Sequence, residues 1–329
     1  MNGGPGRSRA LVFHAIGGPE VLSVGEIEDR APRPDQVVVR VRAAGLNFAD
    51  TRFIRGQYFA RPTLPDVPGM EVAGEVLDIG TEVTSLSVGD RVVAFGARAF
   101  AERMVTRASN VFRIPPNLEF EQAAAIPVQG LTAHHLLNLM GRLSRRDRVL
   151  IHAAAGGVGV LAIQLAKASG ATVTASCSTS KHALARELGA DHVVDSRGDV
   201  LAQIKATTGE VDLILEMVGG TESYKRNLAA LAPLGRMVVF GAASGDTRGT
   251  LEPVGLMSKN LSVVGYYLTP LLARRDLCER PLDELTTAAA NGSLRVIVGA
   301  RYSLAEARKA FEALESRETT GKIVLSIDG

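Results

Sequence analysis

Between His152 and Lys181 the chain reads HAAAGGVGVLAIQLAKASGATVTASCSTSK: a strand end, a glycine-rich turn, a helix and a second strand. Such a turn brings backbone N–H groups and the positive end of a helix to one point, which suits the pyrophosphate of a dinucleotide. Ala154 stands where the first glycine is usual, and Gly156 and Gly159 keep the second and third places. The second permits close backbone approach to phosphate, and the third lets helix and strand pack tightly. Glycine also serves a tight structural turn. The strand before it, the helix after it and the alternating pattern around it favour the dinucleotide, with Ala155, Gly156, Gly157 and Val158 as the backbone cradle.

The acidic residue that usually holds the ribose hydroxyls, about 20 positions later, is missing. Ser176 stands there, followed by Cys177, Ser178, Thr179, Ser180 and Lys181. An aspartate would repel a 2′-phosphate, whereas hydroxyl donors and one ammonium attract it. Ser176, Ser178 and Lys181 are therefore expected to select NADPH over NADH. The competing reading is a serine helix cap with Lys181 in solvent.

Metal chemistry finds little support. Cys177 and Cys278 are the two cysteines, far apart in sequence, which gives neither a disulfide framework nor a cysteine zinc module. Among the six histidines, His134 and His135 are adjacent and diverge on a helix. No pair has ligand spacing, and a structural role is expected for His152 at a strand end. No metal site is expected.

The elements that must position these groups follow from texture. A chain of 329 residues exceeds one comfortable core and suggests two domains. From Arg9 to about Arg113, apolar runs such as QVVVRVRAAG, GEVLDIG and DRVVAFG, broken by Gly and Pro, give a β-rich unit. EQAAAIPVQGLTAHHLLNLM then reads as helix. From Val149 on, strands such as RVLIHAA, ATVTAS, DHVVD, VDLILEMVG, RMVVFGA and LSVVGYYL alternate with helices such as VGVLAIQLAKASG, SKHALARELG and YKRNLAALAPLG. Buried strands alternating with helices predict an α/β fold with a doubly wound parallel sheet. The tail from Pro281 mixes helix and strand and is expected to fold back onto the first domain. The expected division is 1–125, 126–269 for the nucleotide domain, and 270–329 completing the first.

With 37 basic and 35 acidic residues the net charge is +2, which gives no strong pull toward nucleic acid or a membrane surface. No apolar run reaches the roughly 18 residues that cross a bilayer. The opening MNGGPGRSRA has no apolar segment of the signal-peptide kind and is expected to fray. A soluble, cytoplasmic protein is expected.

Taken together, AGLNFADTRFIRGQY, VPGMEVAGEV, VGDRV, VQGLTAHHLL, IHAAAGGVGVLAIQLAK and ESRETTGKIVLSI resemble the zinc-independent quinone oxidoreductases of the medium-chain dehydrogenase/reductase superfamily. The resemblance spans nearly the whole chain from Ala10. It implies a GroES-like catalytic domain split in sequence around a Rossmann domain, with NADPH and substrate in the cleft between them. Zinc alcohol dehydrogenases of the superfamily place a cysteine ligand where this chain has Asn47 and a histidine ligand where it has Met70, and neither replacement is a good zinc ligand. The four-cysteine lobe of those enzymes is missing from FGARAFAERMVTRASN.

By the same resemblance Asn47 and Tyr58 line the substrate and nicotinamide site with Asp50 beside them. Asn47 would donate a hydrogen bond, and Tyr58 would orient substrate or supply a proton. Asp50 is either a turn or cap residue or a functional one. Thr132 and the backbone of Phe240, Gly241 and Ala242 are expected at the nicotinamide. Arg317 is either a cofactor neighbour or a surface arginine. The tyrosine frequent in the family near Ser196 is absent.

A quinone or α,β-unsaturated carbonyl is already electrophilic, so hydride transfer to it needs positioning and oxyanion stabilisation more than a metal. NADPH-dependent reduction of such a small-molecule acceptor is the leading expectation. An enoyl-thioester reductase is the alternative enzyme, and an NADPH-binding crystallin-like or RNA-binding protein the non-enzyme alternative. The even charge and the lack of a basic, aromatic-rich patch argue against nucleic acid. NLSVVGYYLTP reads as an apolar edge strand, which predicts a homodimer with a continuous sheet.

Overall fold

The computed structural model describes residues 6–327. The fraying expected at the first residues lies outside the described ones. The chain divides into two units, one running to Val128 and resuming at Leu272, the other Gln129–Leu271.

The first unit begins with β1 (Arg7–Phe13), paired antiparallel with β2 (Leu22–Glu28). Next come β3 (Gln36–Leu46), β4 (Glu71–Ile79), β5 (Arg91–Phe95), β6 (Arg103–Arg107) and β7 (Val111–Arg113). The run QVVVRVRAAGL makes β3 the hub of the sheet, pairing antiparallel with both β4 and β6. Its β-branched residues suit a pleated surface, and Val37, Val39 and Val41 are buried against Phe13, Phe100 and Phe311.

The segment EQAAAIPVQGLTAHHLLNLM is helical, but in pieces: Phe120–Ala124, Pro127–His134, and a π-helical turn His135–Met140. Proline cannot donate to a preceding turn and is tolerated at a helix start, so the second piece begins at Pro127.

The second unit carries β8 (Arg148–His152), β9 (Thr172–Cys177), β10 (His192–Asp195), β11 (Val211–Glu216), β12 (Leu231–Val239) and β13 (Ser262–Gly265). All pair parallel, in the order β10-β9-β8-β11-β12-β13. This is the doubly wound arrangement that the alternation predicts, with its direction of winding reversing between β8 and β11. Val149, Leu150 and Ile151 of β8 are buried, as a central strand covered on both faces requires. The helix expected over YKRNLAALAPLG is shorter, Thr221–Ala230, and β12 already starts at Leu231. Pro233 lies in that strand's opening, where the register against β11 slips, because proline brings no N–H to a ladder. β13 is one of the sheet's two edge strands, as NLSVVGYYLTP suggests, with β10 at the other edge.

The closing segment adds β14 (Val298–Ser303) and β15 (Lys322–Ser326). β15 pairs antiparallel with β3, with Ile323 opposite Leu46 and Val324 opposite Gly45. This register carries Lys322 to the end of β3, beside Asn47.

Candidate active site

In the second unit the expected cofactor residues gather at the carboxyl ends of parallel strands. The turn 153–156 leaves β8, the serine loop leaves β9, and Phe240–Ala242 leaves β12. Ligands of open α/β sheets bind at such strand ends, at the reversal of winding.

Gly156 is the extended N-cap of the helix Gly157–Ala168. The first N–H groups of a helix have no partner within it. Here they belong to Gly157, Val158 and Gly159, and Gly157 and Val158 are half-buried. A Cβ on Gly156 would lie 3.2 Å from Ala153 O, a close approach to backbone, with no other atom within 4 Å. A Cβ on Gly159 would lie 2.5 Å from Ala154 O, so this glycine is what lets helix and turn pack. Gly157 is glycine for another reason, since the Gln129 amide fills the space its Cβ would take. Ala155 is buried in the turn, and Ala153 takes a left-handed φ of 47°.

The serine loop differs from expectation at Ser176. Its side chain is fully buried, and its Oγ has no hydrogen-bond partner among the described residues. The strand alternates its faces, so Ser176 turns into the sheet with Thr174 while the chain beyond Cys177 emerges. The ribose-selecting role therefore does not fall to Ser176. Ser178 holds the N-cap position of the short 3₁₀ turn Thr179–Lys181, yet its hydroxyl makes no capping bond and lies 3.4 Å from Ser180 Oγ. Lys181 closes the same turn, half-buried. Burial pushes the neighbouring Cys177 thiol up, with the Lys181 charge opposing it.

After β12 the Phe240 and Ala243 N–H groups donate to Glu216 O and Met217 O, both at 2.9 Å, and Gly241 between them is exposed. Thr132 is buried on the helix Pro127–His134. Sequence reasoning missed Glu216, fully buried at the end of β11. Its carboxylate accepts from the Gly219 N–H at 2.7 Å, the Ser223 hydroxyl at 3.2 Å and the Asn227 amide. Since that amide nitrogen faces Glu216, the Asn227 oxygen faces His152 and accepts from its Nε2 at 2.9 Å. His152 is thereby structural, as expected.

In the first unit Asn47 and Asp50 come together. Asn47 precedes the helix Phe48–Ile54, and its N–H donates to Asp50 Oδ2 at 2.8 Å, so Asp50 closes the first turn as a cap. Asp50 is also buried, and burial raises its carboxyl to about 7 against the opposing Asn47 N–H and Lys322 charge. Tyr58 lies on the loop after this helix, half-buried, with its ring 5.7 Å from that of Phe59.

Asn47 departs from its expected role. Its Nδ2 donates to Glu71 Oε1 at 2.7 Å and to Gly45 O at 3.2 Å, and its Oδ1 accepts from Lys322 Nζ at 2.7 Å. Both amide hydrogens are committed to protein, so Asn47 has none to donate to a substrate. Lys322 Nζ also donates to Glu71 Oε1 at 2.5 Å, and Glu71 Oε2 accepts the Val128 N–H at 2.7 Å. Glu71 and Lys322 were missed. Their signal was a single charged residue inside an apolar run, in GMEVAG and in GKIVLSI.

This donor set does not suit zinc. Asn47 Oδ1 is occupied by an ammonium, which would repel a second cation, and Met70 offers only a thioether. Arg317 lies elsewhere in the first unit, exposed at the left-handed end of the helix Ala307–Ser316 with φ of 62°.

Residues 33–116 match the family described as alcohol dehydrogenase GroES-like domain, and residues 157–279 the one described as zinc-binding dehydrogenase. The chain is 37% identical to the quinone oxidoreductase of Pseudomonas aeruginosa, over 97% of its own length and 99% of the relative's. It is 30% identical to the synaptic vesicle membrane protein VAT-1 homolog of Danio rerio, over 97% of its own length and 70% of that protein. Among solved structures, Escherichia coli quinone oxidoreductase complexed with NADPH superposes with a TM-score of 0.89 at 34% identity, covering 97% of this chain and 99% of that one.

Proposed function

This chain belongs to the quinone oxidoreductases of the medium-chain dehydrogenase/reductase superfamily, and from that membership we propose that it transfers a hydride from NADPH to a quinone or another α,β-unsaturated carbonyl. The observation that carries the reading is the glycine turn that opens the helix Gly157–Ala168, with the Ser178, Ser180 and Lys181 loop beside it at the strand ends.

In this reading residues 129–271 form the cofactor domain and the first unit the acceptor domain. The Gly157 and Val158 N–H groups hold the pyrophosphate, and Ser178 and Lys181 hold the 2′-phosphate. The backbone of Phe240, Gly241 and Ala242 and the Thr132 hydroxyl steady the nicotinamide. NADPH held there supplies the hydride. Tyr58 orients the acceptor and gives its oxygen a hydrogen bond as negative charge develops. Asn47 keeps the acceptor site in shape through its bonds to Lys322 and Glu71, and Asp50 holds the helix start beside it. The reaction runs without zinc, since a conjugated acceptor needs no Lewis acid and the Asn47 and Met70 donors do not suit the metal.

β13 offers an open edge, and Val254 and Met257 on the preceding 3₁₀ segment are exposed. Both favour a homodimer joined through that edge. No helix among the described residues is long and apolar enough to cross a membrane, and both cysteines are free. A cytoplasmic enzyme fits these features.

The test follows NADPH absorbance in excess EDTA with 1,4-benzoquinone and with a crotonyl thioester. Turnover of the quinone, faster than of the thioester and indifferent to EDTA, is expected. No turnover with quinones, or activity lost to EDTA and restored by zinc, overturns the proposal.

A further inference from the structure

In the buried ionic cluster of the first unit, Lys322 and Glu71 have so far entered only as partners of Asn47. Lys322 is 2% exposed and Glu71 0%, a cation and an anion taken almost wholly out of water. Removing such charges from water costs several kcal/mol per ion, so a pair of this kind persists only where its geometry is tightly fixed. Here it is. Glu71 accepts three hydrogen bonds, from Lys322 Nζ, Asn47 Nδ2 and the Val128 N–H. Lys322 spends two of its three protons on Glu71 Oε1 and Asn47 Oδ1.

Two independent features show that the backbone is built around the pair. A Cβ on Gly45 would lie 2.6 Å from Glu71 Oε1 and 2.7 Å from Lys322 Cε, so this strand glycine makes room for them. The pairing of β15 with β3 delivers Lys322 to Asn47 across 275 positions of sequence. The orientation of the Asn47 amide follows without ambiguity, because an ammonium demands its oxygen and a carboxylate demands its nitrogen.

We propose that Lys322 is a positioning residue for the acceptor site: its ammonium, clamped by Glu71, locks the Asn47 amide and with it the start of the helix Phe48–Ile54, from whose far end the Tyr58 loop departs. The assignment rests on the reading of Asn47 and Tyr58 as parts of the acceptor site. A positive group on a flexible four-carbon stem suits the task, since it satisfies a carboxylate and an amide oxygen together. A neutral pair, Lys322→Met with Glu71→Gln, removes both buried charges together while the new amide at position 71 still offers an acceptor, so it should hold the fold. It would leave the Asn47 oxygen without its donor.

The test compares wild type, Lys322→Met and the double variant Lys322→Met with Glu71→Gln. Readouts are the melting temperature, kcat and KM for quinone reduction, NADPH affinity by fluorescence, and the side-chain amide signals of Asn47 by NMR. Lys322→Met is expected to lower kcat roughly 10- to 100-fold, as for loosened positioning, with NADPH affinity unchanged. The double variant should recover the melting temperature while kcat stays low and the Asn47 amide signals stay displaced. Recovery of kcat together with stability would reduce the cluster to a structural pair and overturn the proposal.

Should the Met variants not fold, Lys322→Ala is assayed with n-propylammonium, which replaces the missing atoms from Cγ to Nζ. Restored melting temperature and kcat, absent with sodium at equal ionic strength, are expected; no restoration overturns the proposal. If wild type turns over no quinone with NADPH, the functional reading falls by itself. The Asn47 signals then decide the positioning claim, and their identity in wild type and Lys322→Met would refute it.

Discussion

The cluster around Lys322 and the loops at the carboxyl ends of β8 and β9 both concentrate polar groups, and they treat them in opposite ways. In the first, Asn47, Glu71 and Lys322 are buried and bonded to one another. In the second, Gly157, Val158 and Ser178 are half-buried and Ser180 is exposed, with no capping bond to the Ser178 side chain. Saturated polar groups hold a shape, whereas groups left open are available to a ligand. The proposed function rests on this contrast, with the first cluster shaping the acceptor site and the second binding NADPH.

The sharpest way to break the contrast is to leave one buried charge alone. Glu71→Gln removes the carboxylate from Lys322 and should cost about 3–5 kcal/mol, read from urea unfolding. A cost near zero would mean that water reaches the cluster and that it is not saturated.

A smaller effect is expected from Ser176→Asp. The buried position denies the new carboxylate both water and ribose, so it should destabilise by roughly 1–3 kcal/mol without moving cofactor preference toward NADH. A clean switch to NADH with unchanged stability would show that Ser176 faces the ribose after all.

A further effect, read against pH, concerns Asp50. Its carboxyl sits near 7 in the folded protein, against 3.8 ordinarily, with burial as the main cause. Between those values the folded state holds a proton that the unfolded state has lost, so stability from this group falls as pH rises from about 4 to 7. Asp50→Asn removes that dependence. Relative to wild type, its melting temperature should improve steadily across the window, and a constant difference would show that Asp50 is ionised throughout.

The contrast also explains what could be read from sequence. The glycine turn, the helix after it and the parallel strands are local patterns, legible in HAAAGGVGVLAIQLAK and in the apolar runs around it. The side on which Ser176 falls depends on where β9 ends, one residue beyond the reading, and a shift of one residue in a strand reverses the face. The Lys322 cluster was illegible for a different reason. Glu71 and Lys322 stand 251 positions apart and meet only because the closing strand returns to β3. Asn47 could be placed near a site by resemblance, but its donors were committed to partners that no local pattern reveals.

The most direct measurement is a fluorescence titration of wild type and Lys181→Ala with NADPH and with NADH. If Ser178 and Lys181 after β9 read the 2′-phosphate, wild type binds NADPH roughly tenfold or more tightly than NADH, as one net charge-assisted hydrogen bond allows, and Lys181→Ala loses most of that preference while its NADH affinity stays the same. Equal affinity of wild type for the two cofactors, or equal weakening of both by Lys181→Ala, would contradict the account.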